Sequence, residues 1–285
     1  MNNGLAIVTV LLSPDIIGLL QLTQEFSMKT VLITGCSSGF GLDTARYFLA
    51  RDWNVIATMR NLDANLLPAA PNLRVLALDV TDAASIASVI AAAGPIDALV
   101  NNAGIGMLGT LEGTTMETAR AVFETNTLGT IALTHAVLPQ FRERRAGVIV
   151  NVTSTVTVRP LPFLSVYTAS KAAVNAFTES LALELAQFNI RVSLVLPGRS
   201  PTTAFGANAK ERMQAAFPAP YVAFKEQVFA GMGSGGDVTY GDDVAEAVWR
   251  AATDPASPLK IAAGADAVAW AQESGDDRFV TPRQS

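Results

Sequence analysis

Lys29-Thr30-Val31-Leu32-Ile33-Thr34-Gly35-Cys36-Ser37-Ser38-Gly39-Phe40-Gly41 decides the fold. Its first half is a short apolar run, and its second half is a glycine-rich turn opening a helical pattern over Gly41–Arg51. Strand, glycine turn and helix N-terminus, in that order, make a place for an anion. Glycine permits the tight turn and lets the backbone come close to a pyrophosphate. The unpaired N–H groups of the first helical turn then face that anion. A tight strand–helix connection without a ligand is the alternative at this point.

Working outward, apolar runs like Val31–Thr34 recur at Asn54–Met59, Arg74–Leu78, Ala98–Asn101, Val148–Val152, Arg191–Leu196 and Lys260–Ala262. Each is short, rich in Val, Ile or Leu, and without strict polar alternation, which is how strands covered on both faces read. Helical patterns separate them, among them Ala83–Ala93, Met116–Arg144 and Ser170–Gln187. The alternation predicts an α/β fold: a doubly wound, Rossmann-type, seven-stranded parallel sheet with helices on both faces. No repeat or linker divides it, so residues 28–285 are expected to form a single domain. Residues 1–27 read as an extension dispensable to the native fold, with Met28 as the natural start. They carry no Lys or Arg, and Ser13, Pro14 and Asp15 interrupt their apolar stretch. They match neither a signal peptide nor an integral membrane span. A membrane-associating or oligomerising role for them is the alternative. The irregular region 197–242 is expected to be a substrate-covering segment. Its Phe205, Phe217, Tyr221, Phe224 and Phe229 either line an apolar pocket or pack the segment onto the body.

Composition narrows the function classes. The chain has 285 residues and a net charge of −5, which argues against a nucleic-acid partner. Arg142, Arg144 and Arg145 form the one basic cluster and read as a solvated helix end. Cys36 is the sole cysteine, so no intramolecular disulfide exists, and a cytoplasmic setting fits. With His135 as the sole histidine, a Cys/His zinc site is excluded and no metal is expected. A Ser-His-Asp hydrolase would have to use His135, which reads as a structural residue within Ile131–Leu138.

Tyr167-Thr168-Ala169-Ser170-Lys171 places a tyrosine and a lysine four apart, on one face of a helix. A tyrosine is a poor base near neutrality, and an adjacent ammonium favours its phenolate. Such a pair can give or take a proton for an alcohol–carbonyl couple. Ser154 lies thirteen residues upstream at the end of an apolar run, where its hydroxyl can polarise the substrate oxygen.

The Gly-x-x-x-Gly-x-Gly turn after Thr34, together with Ser154 and Tyr-x-x-x-Lys, resembles the classical short-chain dehydrogenase/reductase family. The resemblance runs along nearly the whole chain from Met28. It takes in Asn101-Asn102-Ala103-Gly104, Asp79-Val80, Asn126, and Pro197-Gly198 with Thr202. It implies that Tyr167 is the general acid/base and that Ser154 orients the carbonyl. Lys171 is implied to lower the tyrosine pKa and to bond the nicotinamide ribose, and Asn126 to hold a water of the proton relay. Gly35, Ser37, Ser38, Gly39, Phe40, Gly41, Asp79, Val80, Asn102, Ala103, Gly104, Pro197, Gly198 and Thr202 are implied to face the cofactor, with Tyr167 and Lys171 beside them. Arg199-Ser200-Pro201 and the glycine-rich stretch 231–236 depart from the pattern and leave the substrate open.

The second strand ends Ala57-Thr58-Met59-Arg60-Asn61, with no carboxylate to hold ribose hydroxyls. Arg60 suits a 2′-phosphate through paired hydrogen bonds, so NADP(H) is the expected cofactor. Asp63 reaching back to a ribose, with Arg60 in solvent, is the alternative. The expected function is hydride transfer between NADP(H) and a small-molecule carbonyl or secondary alcohol, in a homodimer or homotetramer. A catalytically silent NADP(H)-binding sensor or scaffold, and an epimerase or dehydratase, rank below it.

Overall fold

A computed structural model describes residues 28–63, 66–201, 217–232 and 236–280. The expected extension 1–27 and Thr202 and Phe205 of the covering segment lie outside the described residues. The chain runs β1 (Thr30–Thr34), α1 (Gly39–Leu49), β2 (Asn54–Met59), β3 (Leu73–Ala77), α2 (Ala83–Ala93) and β4 (Ala98–Asn101). Then come α3 (Met116–Phe123), a π-helical turn (Glu124–Leu128), α4 (Gly129–Arg144), β5 (Gly147–Val152) and α5 (Ser165–Leu185). The last part holds β6 (Ile190–Pro197), α6 (Val222–Met232), α7 (Gly241–Thr253), β7 (Lys260–Ala263) and α8 (Ala265–Ser274).

All six strand pairings are parallel, in the order β3-β2-β1-β4-β5-β6-β7. Parallel strands need crossovers, and the helices supply them on both faces. Side-chain alternation decides which face each helix covers. Val31, Ile33, Val55 and Val150 join Phe48 of α1 and Val244 and Val248 of α7. Leu32, Ile56, Leu99 and Ile149 join Val89 of α2, Leu133 and Val137 of α4, and Leu181 of α5. Each such fully buried side chain contributes about 1.5–3 kcal/mol.

The strands follow their apolar runs to within a residue or so. Two helices differ from expectation. The helix expected over Met116–Arg144 is broken by the π turn at Glu124–Leu128. The helix expected from Ser170 begins at Ser165, so Tyr167 and Lys171 share its first turns. The strand order reverses between β1 and β4, and a crevice opens outside their C-terminal ends, as open parallel sheets require.

Candidate active site

The crevice is a cleft of about 760 Å³ that begins at the turn from β1 into α1. Gly35 has φ +74°, and a Cβ there would stand 2.9 Å from Ala103 Cα. At Gly41 a Cβ would stand 2.3 Å from the Gly35 carbonyl oxygen. These two glycines therefore let turn, helix and the β4 end close on one another. Ser38 caps α1 in an extended conformation, without a side-chain cap bond, and the first helical turn carries no acid. Its N–H groups and dipole are thus uncompensated, as an anion site requires. Thr34 locks the neighbouring loop: its hydroxyl oxygen accepts from Asn102 N and Ala103 N, each at 2.9 Å.

Gly35, Ser37, Ser38, Gly39 and Phe40 line the cleft, as do Arg60, Asp79, Val80, Asn102, Ala103 and Gly104. Gly41 stands behind the turn and acts through packing. Asp79 accepts from Thr81 N at 2.9 Å and Thr81 Oγ1 at 2.7 Å. Those bonds hold its carboxyl below the usual range, with a smaller pull from Arg60. Thr58, Met59, Thr81, Ile105, Gly106, Glu124 and Thr125 also line the cleft and were not foreseen. The first three flank expected residues, whereas Glu124 and Thr125 arrive through the π turn, which the sequence did not signal.

The catalytic candidates meet beyond the ends of β4 and β5. Ser154 follows β5, and its Oγ accepts from Val156 N at 3.3 Å. Ser154 is hydrogen-bonded to the Tyr167 hydroxyl. Burial pushes the phenol above its usual range, and the bond to Ser154 draws it partly back. The lysine donates from Nζ to the Val152 carbonyl at 3.0 Å. Burial brings the Lys171 ammonium itself down to about 8. A Cβ on Gly104 would stand 3.3 Å from Lys171 Nζ and 3.2 Å from Asn126 Oδ1, so the cleft runs directly into this cluster.

Asn126 lies in the π turn, a feature frequent at functional sites. Its Nδ2 donates to Ile105 O at 3.0 Å and Ser170 Oγ at 3.1 Å, and its Oδ1 accepts from Ile105 N at 2.7 Å. Both amide donors are taken by protein groups. Ser170 Oγ in turn donates to the Tyr167 carbonyl at 2.7 Å. Sequence reading missed Ser170, although it sits inside the quoted tyrosine–lysine stretch. His135 is exposed on α4 and is not part of the cleft.

Residues 29–213 match the family model described as short chain dehydrogenase. The chain belongs to the short-chain dehydrogenase family. Retinol dehydrogenase 8 of Bos taurus is 43% identical over 203 residues, covering 67% of this chain and 65% of that protein. A crystal structure of a short-chain dehydrogenase from Streptomyces avermitilis superimposes with a TM-score of 0.76 at 36% identity, covering 88% of this chain and 93% of that one. The closed form of serine dehydrogenase complexed with NADP+ superimposes with a TM-score of 0.70 at 29% identity, covering 82% and 94%.

In this member of the family the segment after β6 is braced at both ends. Pro197 and Gly198 do not line the cleft. The Pro197 carbonyl accepts from Thr155 Oγ1 at 3.0 Å, beside Ser154. A Cβ on Gly198 would stand 2.3 Å from the buried Asp266 carboxylate. Asp266 accepts from Arg199 N at 2.6 Å and from Thr239 Oγ1 at 2.8 Å, and Thr239 N donates to Arg199 O at 2.7 Å. The Arg199 backbone thus ties the start of the segment to its end, and its guanidinium adds a bond to the Asp237 carbonyl at 3.0 Å. Further along, Phe217, Phe224 and Phe229 pack against one another or against Phe163. Of the two roles open for these rings, packing the segment onto the body is the one seen. Among the described residues no group of three or more ligands fits a metal, and no helix is long and apolar enough to cross a membrane.

Proposed function

We propose that the protein transfers a hydride between NADP(H) and a carbonyl or secondary alcohol, with Tyr167 as the general acid/base. The observation that carries this is the Ser154–Tyr167 hydrogen bond, set beside Lys171 where the cleft ends at Gly104. The bound cofactor supplies or accepts the hydride. Tyr167, held protonated by burial, gives its proton to the carbonyl oxygen as the hydride reaches the carbon. Ser154 donates a hydrogen bond to the same oxygen and stabilises its developing charge. Lys171 returns a proton to the phenolate side, and a relay past Asn126 would use that residue's acceptors, since its donors are taken. The turn Gly35–Phe40 holds the pyrophosphate, and exposed Arg60 takes the 2′-phosphate. The similar NADP+ complex of serine dehydrogenase supports that choice. Region 197–242 covers the substrate.

The test is titration with NADPH and with NADH, followed by cofactor fluorescence. We expect NADPH to bind more tightly, with the preference cut about tenfold in Arg60→Ala by loss of a charged hydrogen bond. A carbonyl screen follows NADPH consumption with Tyr167→Phe as control, for which turnover should fall about 10²–10⁴-fold. Binding of neither nucleotide by folded protein would sink this reading.

A further inference from the structure

The peptide unit between Pro197 and Gly198 ends β6 and is bonded on both sides. Its carbonyl accepts from Thr155 Oγ1 at 3.0 Å, and its N–H donates to Thr239 Oγ1 at 2.9 Å. A peptide unit is planar, so these two bonds hold the ends of one rigid lever. A glycine after the plane offers no Cβ to resist its turning over. Asp266 occupies the place of that Cβ, which would stand 2.3 Å from each of its carboxylate oxygens.

Asp266 lies in the first turn of α8 and is buried. One oxygen accepts from Arg199 N at 2.6 Å, and the other meets Thr239 Oγ1 at 2.8 Å. Thr239 is itself fully buried, and its N–H donates to the Arg199 carbonyl at 2.7 Å. Gly264, at φ +99°, makes room for the hydroxyl, because a Cβ there would stand 2.1 Å from Thr239 Oγ1. Two glycines thus give up their side-chain space to one carboxylate and one hydroxyl. The N-terminus of α8 favours the carboxylate's charge, and its bonding partners are a backbone N–H and a hydroxyl. A buried carboxylate held in this way is costly unless each bond is kept, so it fixes what it touches.

The other end of the lever reaches the reacting groups. Thr155 is buried and opens the single turn Thr155–Thr157, which Ser154 caps. The Ser154 carbonyl accepts from Thr157 Oγ1 at 2.8 Å, and Ser154 is hydrogen-bonded to the Tyr167 hydroxyl. Helix α8 meets the far side of that turn as well, where the Arg159 guanidinium lies 5.0 Å from the Trp270 ring centroid. No residue of α8 lines the cleft, and neither do Pro197 and Gly198.

We propose that Asp266 is a positioning residue for the reaction: through Thr239 and the Pro197–Gly198 peptide it holds Thr155, and with Thr155 the Ser154 hydroxyl against Tyr167 and the substrate oxygen. Without the carboxylate the peptide is free to turn over, and Thr155 loses its acceptor. The Ser154 turn then loosens while the nucleotide cleft stays intact. The proposal rests on the reductase reading above, and its test separates the two.

Asp266→Ala and Thr239→Val are made in the full chain, each alone and together with Ser154→Ala. Asp266→Asn fills the same space and keeps an acceptor for Arg199 N. NADPH affinity is read by cofactor fluorescence. Turnover is read with 4-nitrobenzaldehyde, whose nitro group activates the carbonyl toward hydride. Amide hydrogen exchange is followed at Gly198–Arg199 and Thr155–Val158. We expect Asp266→Ala to lower kcat about 10–10²-fold, and Thr239→Val to lower it in the same direction, with NADPH affinity within about twofold. With Ser154 already replaced, Asp266→Ala should cost less than about threefold more, because the group it positions is gone. Asp266→Asn should recover most of the lost turnover. Exchange should rise in both segments of Asp266→Ala and stay unchanged in Thr30–Thr34.

Unaltered exchange at Thr155–Val158 overturns the lever, whatever the enzyme reduces. Equal losses with and without Ser154 overturn the action through that hydroxyl. An Asp266→Asn protein that fails to fold makes the carboxylate a fastener of the fold and overturns the positioning role. A wild type that binds NADPH and leaves the aldehyde unreduced overturns that role too, and exchange alone then decides the lever. Failure to bind NADPH overturns the reductase reading itself.

Discussion

Lys171 and Lys260 are each 5% exposed, yet the protein treats their charges in opposite ways. Lys260, at the start of the edge strand β7, meets Asp276 at 2.8 Å and Glu179 at 2.9 Å. Arg278 bonds the same two carboxylates, so four side chains fasten the turn at Asp277–Phe279 to α5 and β7. Lys171, in α5, has the Val152 carbonyl, and among the described residues no carboxylate pairs with it. Burial alone acts on it and brings it down to about 8. A buried ammonium matched by carboxylates is a fastener. An unmatched one is a standing cost, which a sequence keeps only where the charge has work to do.

The largest effect should separate the two by activity. Lys171→Met should lower NADPH-dependent turnover about 10²–10⁴-fold. Lys260→Met should leave turnover per folded molecule within about twofold, since its network lies away from the cleft residues. Steady-state rates normalised to the folded fraction decide this. Equal losses would erase the distinction between fastener and working charge.

Stability should move with opposite signs. Lys260→Met leaves Glu179 and Asp276 with Arg278 as their shared cation and should destabilise by about 1–2 kcal/mol, less than a broken buried pair because Arg278 still bonds both carboxylates and both keep some solvent. Lys171→Met removes an unpaired buried charge and should stabilise by about 1–3 kcal/mol. Urea unfolding at neutral pH reads both. If Lys171→Met proves the less stable, burial of that ammonium is not the cost assigned to it.

The contrast also shows what a sequence discloses. The strands and the glycine turn were legible because each is a local pattern: apolar runs for buried parallel strands, and glycines where a Cβ would strike Ala103 or Gly35. Ser154, Tyr167 and Lys171 were legible by spacing and resemblance. Their electrostatics were not, because the burial of Tyr167 and its bond to Ser154 are matters of packing between β5 and α5. The π turn was hidden since Glu124-Thr125-Asn126-Thr127-Leu128 reads as ordinary helix. Ser170, which receives Asn126 and holds the Tyr167 carbonyl, owes its role to that hidden turn. Arg199 stood out in the sequence as a substrate-side oddity, and in the structure its guanidinium donates to the Asp237 carbonyl at 3.0 Å while its backbone N–H meets Asp266.

The smallest effects lie in pH, and the two lysine sites should respond in separate windows. Asp276 is held well below the usual carboxylate range: burial raises it, and hydrogen bonds from Arg278 and Lys260 more than offset that rise. A depressed carboxylate contributes stability that is present above its unfolded value of about 4 and is lost as pH falls further. The stability difference between wild type and Asp276→Asn should therefore shrink on acidification below about pH 4. Lys171 works at the other end. Its folded value of about 8 lies below the unfolded value of 10.5. Between the two, the unfolded chain binds more protons, so stability rises with pH. The advantage of Lys171→Met over wild type should thus be full below about pH 8 and fade toward pH 10. Thermal melts of the three proteins across both windows, each shift a few degrees at most, test this. If the Lys171→Met advantage persists unchanged at pH 10, its source is packing and the unmatched charge has no part in it.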